Sequence, residues 1–204
     1  MNPIFSPGPG IYIAHGVFWG GFVIARLIAR ASLREKQDGA ADVQRVEKED
    51  SSPHSRLMVG IHAVGFFILY MGVGDAVFGG NPATLLESQV LAGAILLGCG
   101  LALSCWALFY FRSWRLRASL SVGHELATGG PFRFLRHPIY MALNLFGLGT
   151  ALWIPTLTVW LGFVCIVVGS DLRARTEEKL LHRNFGEQYA KYCSRTRRFV
   201  PLVY

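Results

Sequence analysis

The sequence predicts an all-α integral membrane protein, and three observations carry that prediction. Apolar runs reach bilayer length, basic residues are confined to the segments between them, and no strand-helix alternation occurs anywhere. The chain has 204 residues, of which 52% are hydrophobic and 16% charged, with a mean hydropathy of +0.37. That balance is too apolar for an ordinary soluble domain. A net charge of +7 would suit nucleic acid, but its placement between apolar runs is the pattern of a membrane protein's cytoplasmic side. The partner expected is therefore the bilayer, and no nucleic acid.

Taken in order, the first span is expected from Ile11 to Ala29, the second from Leu57 to about Phe78, and the third from about Gln89 to Phe111. Met1-Asn2-Pro3-Ile4-Phe5 has neither the positive region nor the cleavage site of a signal peptide, so the first run is expected to remain in the mature protein. Ser32 to Ser55 is mixed in charge, with breakers at Asp38-Gly39 and Ser51-Ser52-Pro53, and reads as a solvated loop with a helical turn or two. The apolar stretch from Ile139 to Ser170 is interrupted by Trp153-Ile154-Pro155-Thr156 and reads as two short helices folded back at the proline. About five transmembrane helices result, followed by a C-terminal cytoplasmic helix that Gly186 stops or bends.

Counting Lys and Arg orients the spans. Arg30 to Arg56 holds six, Arg112 to Arg136 five and Asp171 to Tyr204 eight, whereas Asp75 to Ser88 and the first ten residues hold none. Five spans satisfy this alternation with the N-terminus outside and the C-terminus in the cytoplasm. The expected organisation is residues 1–110 as N-terminal transmembrane helices with a cytoplasmic loop at 30–56, then 111–204 as a cofactor-binding catalytic region that includes the hairpin 139–170.

Cys99, Cys105, Cys165 and Cys193 form no CxxC pair and suggest neither disulfides nor a metal site, so they read as packing residues. Glycines in Gly72-Val73-Gly74 and at Gly93, Gly98 and Gly100 follow no strand and read as positions of close helix contact. His15 and His62, inside apolar spans, are expected to pair across helices. Trp106, Trp114, Trp153 and Trp160 read as interfacial anchors, Arg112, Arg115 and Arg117 as positive-inside charge, and Arg195, Arg197 and Arg198 as lipid-headgroup contacts.

The chemistry concentrates in two places. Gly129-Gly130-Pro131-Phe132-Arg133-Phe134-Leu135-Arg136-His137-Pro138-Ile139-Tyr140 sets two arginines and a histidine against an apolar run, where an ionisable cluster is costly and marks a functional site. Pro138 suits the first position of a helix and leaves His137 at its mouth. Beyond the hairpin, Arg173 and Glu177 are four residues apart and share a helix face, in the order that supports a helix less well. The hairpin brings the two clusters together around a helix N-terminus that attracts anions. The bland alternatives are a solvated surface helix, a hairpin-capping His137 and an interfacial Tyr140.

These residues carry a family resemblance. From Val122 to Pro201 the chain resembles the isoprenylcysteine carboxyl methyltransferase family, whose broader relatives include phospholipid N-methyltransferases. The matching blocks are Thr128 to Tyr140, Arg175-Thr176-Glu177-Glu178-Lys179-Leu180-Leu181, Phe185-Gly186-Glu187-Gln188-Tyr189 with Tyr192, and Arg198-Phe199-Val200-Pro201. The resemblance implies a multispan enzyme that binds S-adenosylmethionine in a cytoplasmic pocket. It implies Gly130, Arg136, His137, Pro138, Tyr140 and Glu178 on the cofactor side, with Arg173 and Glu177 nearest the transferred methyl. Met141 departs from the glycine usual after the tyrosine, and the first 110 residues match no motif.

The expected activity is carboxyl O-methylation of an amphiphilic, isoprenylcysteine-like substrate admitted from the bilayer. A free carboxylate needs no base at pH 7, having a pKa of about 3.3 to 3.7, but it needs an orienting cation such as Arg173. Phospholipid or other amine N-methylation is the alternative, with Glu177 or Glu178 as base. A non-enzymatic scaffold or transporter subunit is the second alternative.

Overall fold

In the computed structural model, residues 10–38, 48–49, 53–79, 87–110, 119–120 and 126–199 are described. Five helices organise them: α1 (Gly10–Asp38), α2 (Pro53–Phe78), α3 (Glu87–Tyr110), α4 (Pro138–Trp153) and α5 (Leu157–Arg195). Two strands of two residues, β1 (Lys48–Glu49) and β2 (Ser119–Leu120), pair antiparallel, and a 3-10 turn covers Gly130–Arg133. The protein is an all-α membrane protein, with four helices long and apolar enough to cross a bilayer.

Several boundaries differ from the sequence expectation. α1 continues through Asp38 into the expected loop, because Arg34-Glu35-Lys36-Gln37 are helix formers and the first breaker is Gly39. α4 has 16 residues, about 24 Å at 1.5 Å per residue, shorter than a full crossing of about 30 Å. The expected fold-back at Pro155 is present: α4 ends at Trp153, and Thr156 caps α5 by accepting from the Val159 backbone N–H at 3.3 Å. The last span and the C-terminal helix are one 39-residue element, since no breaker separates Ser170 from Phe185. Gly186, at φ +49°, bends it.

Residue pairings show how the helices run. A Cβ added at Gly72 would meet Val159 and one at Gly65 would meet Ile166, so α2 and α5 are antiparallel. Gly93 faces Gly149 while Gly100 faces Ala142, which makes α3 and α4 antiparallel as well. Each contact is backbone-close: a Cβ at Gly162 would lie 2.5 Å from the Leu69 nitrogen, and one at Gly93 2.6 Å from the Gly149 oxygen. Gly72, Gly93 and Gly100 are thus packing glycines as expected, whereas Gly74 and Gly98 have nothing within 4 Å of a Cβ. Phe18, Leu69, Val73, Phe146, Val159 and Ile166 fill the core between α1, α2, α4 and α5.

His15 and His62 pair across helices as expected, with Thr150 at 3.0 Å and Ser170 at 3.1 Å. Trp106 is exposed, while Trp153 and Trp160 pack partly against the core. The cysteines in described segments are free, and Cys99 is exposed rather than packed. Arg112, Arg115, Arg117 and Trp114 lie outside the described residues.

Candidate active site

The His-Pro segment owes its shape to its neighbours in the chain. Gly130 takes φ +57°, a left-handed conformation that suits glycine, and Pro131 follows it in the first positions of the 3-10 turn. Pro138 is the first residue of α4 and holds His137 out of the helix, at φ −129° and ψ 62°. The C-terminal segment then lies along this stretch. Leu135 and Arg197 form a parallel bridge, and the backbone N–H groups of Arg136 and His137 donate to the carbonyls of Arg197 at 2.7 Å and Arg198 at 3.2 Å.

Two adjacent carboxylates on α5 hold opposite sides of His137. Glu177 Oε2 lies 3.6 Å from His137 Nδ1, and Glu178 Oε1 lies 3.3 Å from Nε2. The Tyr140 hydroxyl donates to the other oxygen of Glu177, and the His137 and Tyr140 rings stack 5.6 Å apart. One turn before Glu177, the Arg173 guanidinium sits 5.1 Å from the centre of the Tyr140 ring, a cation-π distance. Arg173 is 8% exposed and Tyr140 3%. Burial at that level excludes the interfacial-anchor reading of Tyr140.

Glu178 closes the other half of the cluster. It accepts from Arg136 Nε at 2.9 Å and from Arg198 Nε and Nη2 at 3.0 and 2.7 Å. Burial pushes its carboxyl up, but hydrogen bonds from His137, Arg198 and Arg136 outweigh that and hold it well below the usual carboxylate range. Arg198 also reaches Asp171 at 3.1 Å. Arg136 donates to the carbonyls of Cys193 at 3.3 Å and Thr196 at 2.6 Å, placing a cation at the C-terminal end of α5. Tyr192 pins the segment after the Gly186 bend by donating to the Phe132 carbonyl at 2.7 Å.

The fold therefore brings Arg136, His137, Tyr140, Arg173, Glu177 and Glu178 together, with Pro138 aiming the first of these helices. Gly130 is at the start of the 3-10 turn, against Tyr110 of α3: a Cβ there would lie 2.6 Å from the ring. Arg198 corrects the sequence reading. Expected at lipid headgroups, it is an ion-pair partner of Glu178 and Asp171, while Arg195 and Arg197 remain exposed. Its place in the block Arg198-Phe199-Val200-Pro201 was the available signal.

The model of the phospholipid methyltransferase family matches residues 88–188, about half of the chain. Over that stretch the chain is similar to the phospholipid methyltransferase family, a relative of the isoprenylcysteine carboxyl methyltransferases. No curated protein matches the chain. The family is one of membrane methyltransferases that generally use S-adenosylmethionine. Its matched region contains α3, the 3-10 turn, α4 and α5 to just past Gly186, and so all the clustered residues except Arg198 and the rest of the C-terminal segment.

Proposed function

We propose that this protein transfers a methyl group from S-adenosylmethionine to the carboxylate of an amphiphilic acceptor that reaches the mouth between α4 and α5 from the membrane. The observation that carries the reading is the convergence at that mouth of Tyr140 and Arg173, both buried, with the partly exposed Glu177. Residues 111–204 form the catalytic region in this reading, and the basic counts set the mouth on the cytoplasmic side with the N-terminus outside.

The residues present suit the cofactor's charges. α4 begins without a side-chain cap, and Met141 N–H already bonds the His137 carbonyl. First-turn N–H groups of Ile139 and Tyr140 are then left for an anion such as the cofactor carboxylate. The Glu177 carboxylate suits its cationic groups. When bound, the cofactor supplies an activated methyl group on a sulfonium. Gly130, Arg136, His137, Pro138 and Glu178 serve that side, with Arg136, His137 and Glu178 acting chiefly by fixing Glu177 and the α4 mouth.

In-line displacement asks the protein for alignment and dryness. Arg173, held against Tyr140, can orient an acceptor carboxylate with two parallel N–H bonds, and no proton has to move. A second reading, amine N-methylation, draws on Glu177, which stands one turn from Arg173 and accepts from Tyr140. There the Glu177 carboxylate takes the proton of the amine.

The test is transfer from methyl-labelled S-adenosylmethionine to lipids and to a prenylated cysteine by purified protein in lipid. Alkali releases methanol from methyl esters and leaves N-methyl groups intact. Alkali-labile product that survives Glu177→Gln but not Arg173→Ala supports the carboxylate reading. Alkali-stable product with the reverse mutant pattern replaces it with the amine. Absence of both transfer and S-adenosylhomocysteine binding makes the chain a non-enzymatic membrane component.

A further inference from the structure

His62 lies on α2, outside the family-matched stretch, yet its ring reaches the site. It is 5% exposed and stacks on Tyr140 with centroids 6.0 Å apart and planes at 29°. Its Nε2 is 3.1 Å from Ser170 Oγ, and Ser170 Oγ donates to Asn144 Oδ1 at 2.9 Å. A serine hydroxyl has one hydrogen. With Ser170 donating to Asn144, the serine accepts from His62, an arrangement in which the imidazole carries its proton on Nε2.

This chain ties three helices at a defined height. Ser170 precedes Arg173 by three residues on α5, and Asn144 follows Tyr140 by four on α4, so each lies one turn from a site residue on the same face. A Cβ at Gly169 would be 3.1 Å from His62 Nδ1, which leaves the ring packed on the α5 backbone. A second histidine of similar chemistry provides a contrast. His15 Nε2 bonds Thr150, which donates to the Phe146 carbonyl of its own helix at 2.8 Å, so that chain ends inside the core.

We propose that His62 is a positioning residue for methyl transfer: through Ser170 and Asn144 it sets the height at which α4 presents Tyr140 to Arg173 and Glu177 of α5. The proposal rests on the α4–α5 mouth being the reaction site. Losing the chain lets α4 and α5 slide, and misplacement by about 1 Å costs about 100-fold in rate.

The experiment measures kcat, KM and S-adenosylhomocysteine affinity for the full chain in lipid nanodiscs. His62→Ala is expected to lower kcat about 100-fold and to weaken analogue affinity by a much smaller factor. In His62→Gln the side-chain amide can replace the Nε2–H donor and recover about tenfold of the loss. Ser170→Ala is expected to match His62→Ala, and the double variant to be no slower than either, as members of one network are not additive. His15→Ala is expected to stay within about 3-fold in kcat.

His62→Ala with near wild-type kcat overturns the proposal, as does His62→Gln as slow as His62→Ala, or His15→Ala equally slow. If His62→Ala loses analogue binding through misfolding, His62→Gln and Ser170→Ala decide by the same criteria. Wild-type kcat in Arg173→Ala would instead refute the α4–α5 mouth as the reaction site, a result distinct from any His62 outcome.

Discussion

Replacing Glu178 by Gln should release the C-terminal segment from the His-Pro stretch. The substitution keeps the side-chain volume and removes the charge that Arg136 and Arg198 share. All three side chains are 13 to 14% exposed, so water screens the loss only in part. Breaking a buried ion pair by deleting one partner costs about 3–5 kcal/mol. The low end applies, because Arg198 keeps Asp171 at 3.1 Å and Arg136 keeps the carbonyls of Cys193 and Thr196. At 1.4 kcal/mol per factor of ten, about 3 kcal/mol is about a hundredfold in the opening equilibrium. Hydrogen exchange read by mass spectrometry on the intact protein in detergent checks this at the amides of Arg136, His137 and Arg197, whose backbone bonds cross between the two segments. Their protection should fall about a hundredfold while the amides of α2 and the first half of α5 keep theirs. Protection within about threefold of wild type at those three amides would refute the idea that this ion cluster holds the segment closed.

The same carboxylate sets a pH dependence. Its folded value lies below the unfolded one of about 4.3, so its stabilisation is fully present above that value and is lost as pH falls toward the folded value. Exchange protection at Arg136 and His137 should hold from pH 7 to about 5 and weaken below about 4, and Glu178→Gln should remove that acid step. In the membrane core, Gly162→Ala places a Cβ 2.5 Å from the Leu69 nitrogen. Overpacking of this kind costs about 1–3 kcal/mol, seen as a lowered unfolding temperature in detergent, whereas Gly74→Ala, with nothing within 4 Å, should leave it unchanged. Gly130→Ala adds left-handed strain of about 1–2 kcal/mol to a clash with Tyr110, so Tyr110→Ala should restore part but not all of the lost stability.

What was legible in the sequence followed from local rules. Apolar length gave the helices, Trp153-Ile154-Pro155-Thr156 gave the fold-back, and Pro138 gave the start of α4, each an effect of a few adjacent residues. The pairing of His137 with the Arg173–Glu177 face was also accessible, because a short hairpin leaves its two ends few places to go. The return of the chain after Gly186 was not. One glycine at φ +49° turns the last helical residues back against the 3-10 turn, and no local signal states the angle of such a bend. A basic tail ordinarily meets lipid headgroups, and it is the bend that brings Arg198 to Glu178 instead.

The contacts of Arg198 show how the two carboxylates divide their work. Glu177 and Glu178 are consecutive, so on a helix they diverge by about 100° and cannot both face the same ligand squarely. Glu178 points to Arg136 and Arg198 and is saturated by them, while Glu177 meets Tyr140 and one nitrogen of His137 and is 24% exposed. The family resemblance alone distinguishes the pair in the sequence, setting Glu178 on the cofactor side and Glu177 nearer the methyl. The structure separates them, with Glu178 locking the tail and the His-Pro segment together and Glu177 left at the mouth beside Arg173. His137, touching both, transmits the order of the first carboxylate to the second. The C-terminal segment thereby supports the geometry of this cluster and also touches it, with Phe199 packed against His137 and Tyr140.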